Sequence, residues 1–316
     1  MKTSLIHIGG REIGQGKPCF IVAEVSANHH QKYDEAVAMI KAAKEAGADA
    51  VKLQTYTPDT ITIDSNKEWF LVGGKDNPDD WKGKTLYELY QTAYTPWDWQ
   101  PKLKKIADEI GIFLFSTPFD ETAVDLLESM DVPCYKVASY EVNDVTLLRK
   151  IARTGKPVIM SIGYASLEDI ELALKTLREN GAKEIAILHC VTGYTGDPDP
   201  SVMHLKTMRD IEERFGVVAG FSDNNGGIEI PIIAAAHGAA IIEKHFILRR
   251  SDGGPDAKFS IEPQELQEMV ATIRKHETML GAPHYGPATE QERYNTRFRR
   301  SLFVVKDMKK GEVFTK

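Results

Sequence analysis

The sequence predicts an α/β chain folded as a (β/α)8 TIM barrel, preceded by an N-terminal hairpin and followed by a small C-terminal segment. Three observations carry that expectation. Eight short apolar runs recur along the chain, each followed by a stretch of helical period, which is the pattern of parallel strands joined by crossover helices. No GxGxxG follows the first run, which removes the main reason to prefer an open dinucleotide-binding sheet. The length of 316 residues exceeds the roughly 250 of one barrel by some 66, too few for a second domain of ordinary size.

Taken in order, residues 1–18 carry glycines at 9, 10, 14 and 16 and read as a hairpin closing the barrel floor. The first run is Phe20–Glu24, followed by a helix over Tyr33–Ala46 that Gly47 ends. The second is Ala50–Thr55. Between it and the third, residues 56–99 form an insertion holding all four tryptophans, Trp69, Trp81, Trp97 and Trp99, which reads equally well as a satellite core or as a lid over substrate. Ile112–Thr117, Cys134–Ser139 and Pro157–Ile162 are the next three runs. After them Ser166 and Asp169 form a capping box, Ile170, Leu174 and Leu177 an apolar stripe, and Gly181 a C-terminal stop. Ile185–Cys190, Val217–Ser222 and Ala240–His245 complete the eight, and their β-branched and aromatic content suits strands covered on both faces. A last helix, Pro263–Leu280, ends at Gly281, so that the barrel domain spans 1–281. Residues 282–297 read as a linker, and 298–316 as a strand, a turn and the start of another strand.

Composition narrows the function. With 39 Lys+Arg against 46 Asp+Glu the formal charge is −7, which offers no general attraction to nucleic acid or to an anionic membrane. The longest apolar stretch, Ile232–Ile242, is interrupted by His237 and Gly238 and is far shorter than the roughly 20 residues of a membrane span. The N-terminus has charges and glycines where a signal peptide needs an apolar core, and Cys19, Cys134 and Cys190 suggest neither a disulfide framework nor a zinc site. A cytoplasmic protein is expected.

In such a barrel the active site lies at the C-terminal strand ends, and here those ends are polar throughout: Glu24, Lys52, Gln54, Ser116, Thr117, Lys136, Ser139, Ser161, His189, Ser222, Asp223, Glu243, Lys244 and His245. Lys52 and Lys136 sit within apolar strands, where a buried ammonium needs a counter-charge. Three readings are open: a structural ion pair with Glu24 or Glu243, a phosphate or carboxylate site completed by the neighbouring hydroxyls, or a desolvated Schiff-base nucleophile. His245, with Glu243 two residues earlier on the same face, is a candidate metal site, and equally a histidine that is merely hydrogen-bonded. His29 and His30, in the first loop, are substrate contacts or a solvated turn.

The motifs AEVSANHH, DAVKLQTYTPDT, TLYELY with TPWDW, FSTPFD, YKVAS, GKPVIMS, GFSD, IIEKHF, GGPDAKFS and RRSLFVVKDMKKGE, in this order from about residue 4 to the end, resemble the sialic acid synthase family, above all its pseudaminic acid synthase branch. The resemblance implies condensation of phosphoenolpyruvate with an amino sugar, here a 2,4-diacetamido-2,4,6-trideoxyhexose, to a nine-carbon 2-keto sugar acid and phosphate, with Mn2+ or Mg2+ as cofactor. Alternatives are a synthase of N-acetylneuraminic or legionaminic acid and, in another class, a catalytically impaired relative that binds sugar or phosphate.

By position, the resemblance assigns Lys52, Lys136, Thr117, Ser139 and Ser161 to the phosphate and carboxylate of phosphoenolpyruvate, with Ser116 beside them. It makes Glu24 an acid/base near the sugar's reacting end, Gln54, Tyr194 and Ser222 further substrate contacts, and His245 a metal ligand. Asn224 stands where a second metal-binding histidine is usual; its amide oxygen still suits a hard cation, with a weaker preference. Thr192 and Thr195 replace a usual asparagine and proline. The last residues resemble the opening of a C-terminal antifreeze-like (SAF) domain, and a homodimer is expected if that domain is complete.

Overall fold

A computed structural model describes residues 4–72 and 83–315. It divides into two compact units, Met1–Thr278 and Met279–Lys316.

The first unit opens with strands β1 (Leu5–Ile8) and β2 (Arg11–Gly14), paired antiparallel. Gly9 and Gly10 turn between them at φ of 55° and 83°, as a two-residue hairpin turn requires. The hairpin lies where the glycine pattern puts it. A Cβ at Gly9 would strike the Phe113 ring, and the His7 amide donates to Glu184 at 2.9 Å, both partners standing at the N-terminal ends of barrel strands. It therefore caps the floor.

Eight parallel strands then close a barrel: β3 (Phe20–Glu24), β4 (Ala50–Thr55), β5 (Phe113–Pro118), β6 (Tyr135–Val137), β7 (Val158–Ser161), β8 (Ile185–Val191), β9 (Val218–Asp223) and β10 (Ile241–His245). β10 pairs with both β9 and β3, so no edge remains. Each strand falls within one residue of its expected run except β6, which ends two residues early because Ser139 enters a 3-10 turn, Ser139–Glu141.

The helices α1 (Tyr33–Glu45), α2 (Pro58–Ile61), α3 (Leu86–Ala93), α4 (Gln100–Ile110), α5 (Glu121–Ser129), α6 (Val145–Arg153), α7 (Leu167–Glu179), α8 (Thr207–Phe215), α9 (Glu229–Ala236) and α10 (Pro263–Leu280) follow in sequence. α7 shows the expected logic: Ser166 and Asp169 cap each other's backbone, and Ile170, Leu174 and Leu177 are buried. In the insertion, Trp97 donates to the Tyr56 carbonyl at 3.0 Å and Trp99 packs edge-on to His29 and Tyr33, which is satellite-core behaviour. Trp69 is 86% exposed, and Trp81 lies outside the described residues. Among the described residues no helix is long and apolar enough to cross a membrane.

The second unit holds helix α11 (Glu290–Asn295), capped by Thr289 and Glu292, inside the stretch expected to be a linker. The expected strands over 298–316 are a correction: a short 3-10 turn, Thr296–Phe298, precedes irregular chain, and no strand occurs among its described residues. Two short strands are marginal in water on their own, so the local pattern alone does not secure them.

Candidate active site

Strand phase decides what the barrel mouth contains. Side chains alternate in and out along each strand, and one phase brings Glu24, Lys52, Gln54, Thr117, Lys136, Ser161, Cys190, Ser222, Glu243 and His245 to a single cleft. Ser139, Tyr140, Tyr194 and Asn224 reach it from the loops above. The other phase points at the helices. Ser116 is the correction here: it shares a 2.6 Å hydrogen bond with Thr55, which donates to Gln100 of α4, and it does not line the cleft. Lys244 is likewise outward, buried against Asp223 at 2.8 Å, and His189 bonds the Met203 carbonyl.

His29 and His30 also stay outside the cleft. His29 Nδ1 accepts from the Gln31 amide at 3.0 Å and Nε2 meets Thr95 at 2.9 Å, so the ring is a buried joint, and burial pushes its pKa down to about 4. His30 joins Glu35 to the Gly253 carbonyl.

At the centre of the cleft two cations and two carboxylates interlock. Lys52 pairs with Glu24, stands 3.7 Å from Glu243 and donates to Thr117 at 3.2 Å. Lys136 stands 3.5 Å from the same Glu243 oxygen, which also accepts from Ser222 at 3.1 Å. Gln54 donates to the other oxygen of Glu24 at 3.2 Å. The structural ion-pair reading of the lysines is thus realised, but incompletely. Glu243 Oε2, Ser161 Oγ and His245 Nδ1 are buried without a hydrogen-bond partner, a costly condition that a ligand would relieve.

Burial dominates the electrostatics. It pushes Glu24 up to about 7, with Lys52 opposing and Glu243 adding, so this carboxyl can exchange a proton near neutral pH. Glu243 feels the same burial, but Lys136 and then Lys52 outweigh it and keep it ionised. Lys52 remains an ammonium because Glu24 and Glu243 overcome its desolvation, whereas Lys136 is lowered because its single carboxylate does not. His245 is driven well below its ordinary value by burial and then by the nearby lysines, which leaves a neutral imidazole.

Among the described residues no cluster of three or more His, Cys, Asp or Glu is placed to hold a metal. Glu243 is committed to the lysines rather than to His245. What stands near the imidazole is Asp256, 4.0 Å away, and Asn224, whose amide N–H donates to Cys190 Sγ at 3.4 Å. Sequence reasoning missed Asp256, Cys190 and Tyr140. Cys190 was recoverable from strand phase; Asp256 and Tyr140 sit on loops, where no period operates.

The profile described as the NeuB family matches residues 39–285. The chain is 40% identical over 300 residues to a pseudaminic acid synthase of Campylobacter jejuni, covering 95% of this chain and 85% of the relative. A pseudaminic acid synthase of Helicobacter pylori is 41% identical, with 95% and 86% covered. Among solved structures, the N-acetylneuraminic acid (sialic acid) synthetase of Leptospira borgpetersenii in complex with citrate superposes with a TM-score of 0.80 at 31% identity, covering 93% of this chain and 96% of that one.

Proposed function

The chain belongs to the NeuB family, and from that membership we propose that it condenses phosphoenolpyruvate with a 2,4-diacetamido-2,4,6-trideoxyhexose, the reaction of a pseudaminic acid synthase. The observation that carries the reading is a barrel mouth in which two lysines and a row of hydroxyls face a neutral histidine across one cleft. Phosphoenolpyruvate brings about three negative charges. The quartet of Lys52, Lys136, Glu24 and Glu243 is formally neutral, and protonation of Glu24 gives it one net positive charge. Ser161, Ser139 and Thr117 add hydroxyl donors, and a ligand oxygen would satisfy the orphaned Ser161.

His245 Nδ1, left without a partner, and the side-chain oxygen of cleft-lining Asn224 would hold a divalent cation that takes the rest of its shell from substrate and water. When bound, manganese or magnesium would polarise the sugar aldehyde. The chain's own residues do the rest. Lys52 and Lys136 hold the phosphate and carboxylate anions and orient the enol phosphate so that its C3 forms a bond to the aldehyde carbon. Glu24 in its neutral form protonates the new alkoxide; as carboxylate it takes a proton from the water that adds to C2. The tetrahedral centre then expels phosphate and leaves the 2-keto acid. Both lysines stand in ion pairs, which supports anion binding over a Schiff base. Since phosphoenolpyruvate is a cytoplasmic metabolite, we place the enzyme there.

Phosphate release from phosphoenolpyruvate, with and without manganese, tests the reading. Turnover is expected with the trideoxyhexose and metal; turnover with N-acetylmannosamine alone would move the assignment to the neuraminate branch. If only Asn224→His turned over, the chain would be the impaired relative. Borohydride trapping of a carbonyl substrate on Lys52 or Lys136 would establish the aldolase instead.

A further inference from the structure

A series of aromatic rings leads from His245 to the mouth of the cleft, and of these the tyrosines Tyr194 and Tyr140 line it. The His245 ring meets Phe259 edge-on at 5.0 Å, and Phe259 packs against Tyr194 at 5.3 Å. Tyr140 stacks on Tyr164 at a centroid distance of 4.6 Å and an interplanar angle of 31°, their hydroxyls bonded to each other at 2.9 Å.

The last two rings are unusual for their place. Tyr140 is 63% and Tyr164 51% exposed, and they stand on the turns after β6 and β7, on the active-site face. Tyr140 lines the cleft that holds Lys136 and Ser139. The Tyr140 hydroxyl donates to the Tyr164 oxygen and ties the two stacked rings together, so that the pair presents ring surface at the rim.

We propose that Tyr140 and Tyr164 form a stacking platform for the distal, apolar substituents of the sugar, the deoxy methyl group and an acetamido methyl. The inference rests on the sugar-condensing function proposed above. Its chemistry follows from the two ends of the cleft. The charged quartet and His245 lie in the depth, so a sugar whose carbonyl carbon reacts there directs its far end toward the rim. A trideoxy, diacetamido sugar has few hydroxyls at that end, and C–H groups on an aromatic face suit it better than a polar wall would. As specificity determinants, these rings would favour an apolar substituent over a hydroxylated sugar tail.

The test is steady-state phosphate release in Tyr140→Ala and Tyr164→Ala, with the conservative pair Tyr140→Phe and Tyr164→Phe alongside. Each alanine variant is expected to raise KM for the hexose about tenfold while KM for phosphoenolpyruvate stays within twofold. The phenylalanine variants, which keep the ring face, are expected to stay near the parent. Unchanged hexose KM in both alanine variants, or an equal loss in the phenylalanine ones, would overturn the platform while leaving the synthase reading intact. A parent that releases no phosphate with any hexose would remove the synthase reading and the platform with it.

Discussion

The two ends of the barrel use the same chemistry to opposite ends. At the floor, Asp49 accepts from Arg11, from Arg274 at 2.8 Å and from the Ile21 amide at 2.8 Å, while Arg274 and Glu277 bind the two polar groups of the Cys19 backbone at 2.8 and 2.6 Å. None of these side chains has a buried orphan atom. At the mouth, Glu24, Lys52, Lys136 and Glu243 form an equally dense set, yet Glu243, Ser161 and His245 each keep an unpartnered buried atom. A satisfied network stabilises a fold; an unsatisfied one holds interaction energy in reserve for a ligand. The floor therefore serves the fold and the mouth serves binding.

Substitutions at the two ends should separate accordingly. The largest effect is expected for Lys136→Ala, which removes one anion partner and should weaken phosphoenolpyruvate binding by about 2–5 kcal/mol in titration calorimetry. Unchanged affinity would break the assignment of the mouth to binding. Asp49→Ala is its counterpart: a stability loss on the order of 2 kcal/mol in denaturant unfolding, with KM for phosphoenolpyruvate kept. A parallel loss of affinity would mean that the two ends are not independent.

The pH dependence sharpens the contrast at one residue. Glu24 is raised from 4.5 to about 7, so the fold favours its neutral form. That contribution is complete below about pH 4.5, is lost as the pH rises toward 7 and is absent above. Glu24→Gln should therefore gain thermal stability relative to the parent across that window and hold a constant advantage at higher pH. A flat difference between the two melting curves from pH 4 to 8 would refute the shift. Smallest is the pair on β5. Thr117→Ala should weaken phosphoenolpyruvate binding by about 1 kcal/mol, while Ser116→Ala, one residue away, should leave KM unchanged and alter only stability.

That adjacent pair also marks how far the chain could be read unaided. Eight runs of apolar residues, the floor hairpin and the capped helices were legible because period, glycine placement and capping are local properties. So were the inward residues Glu24, Lys52, Thr117, Lys136, Ser161, Ser222 and His245, each at a strand end where a barrel puts its chemistry. Ser116 was taken with Thr117 although alternation allows only one of them to face the cleft; fixing the phase of that strand removes the error. The C-terminal strands were expected from a local pattern, which is too weak by itself to secure a short strand pair.

What the sequence determined by itself is the barrel and the set of charged residues at its mouth, because both follow from short-range periodicity. Only the tertiary structure decided that one carboxylate, Glu243, serves both lysines, that Asp256 stands beside His245, and that Tyr140 finds Tyr164. These residues come from separate strands and loops, and their distances are set by closure of the barrel, which no local pattern encodes.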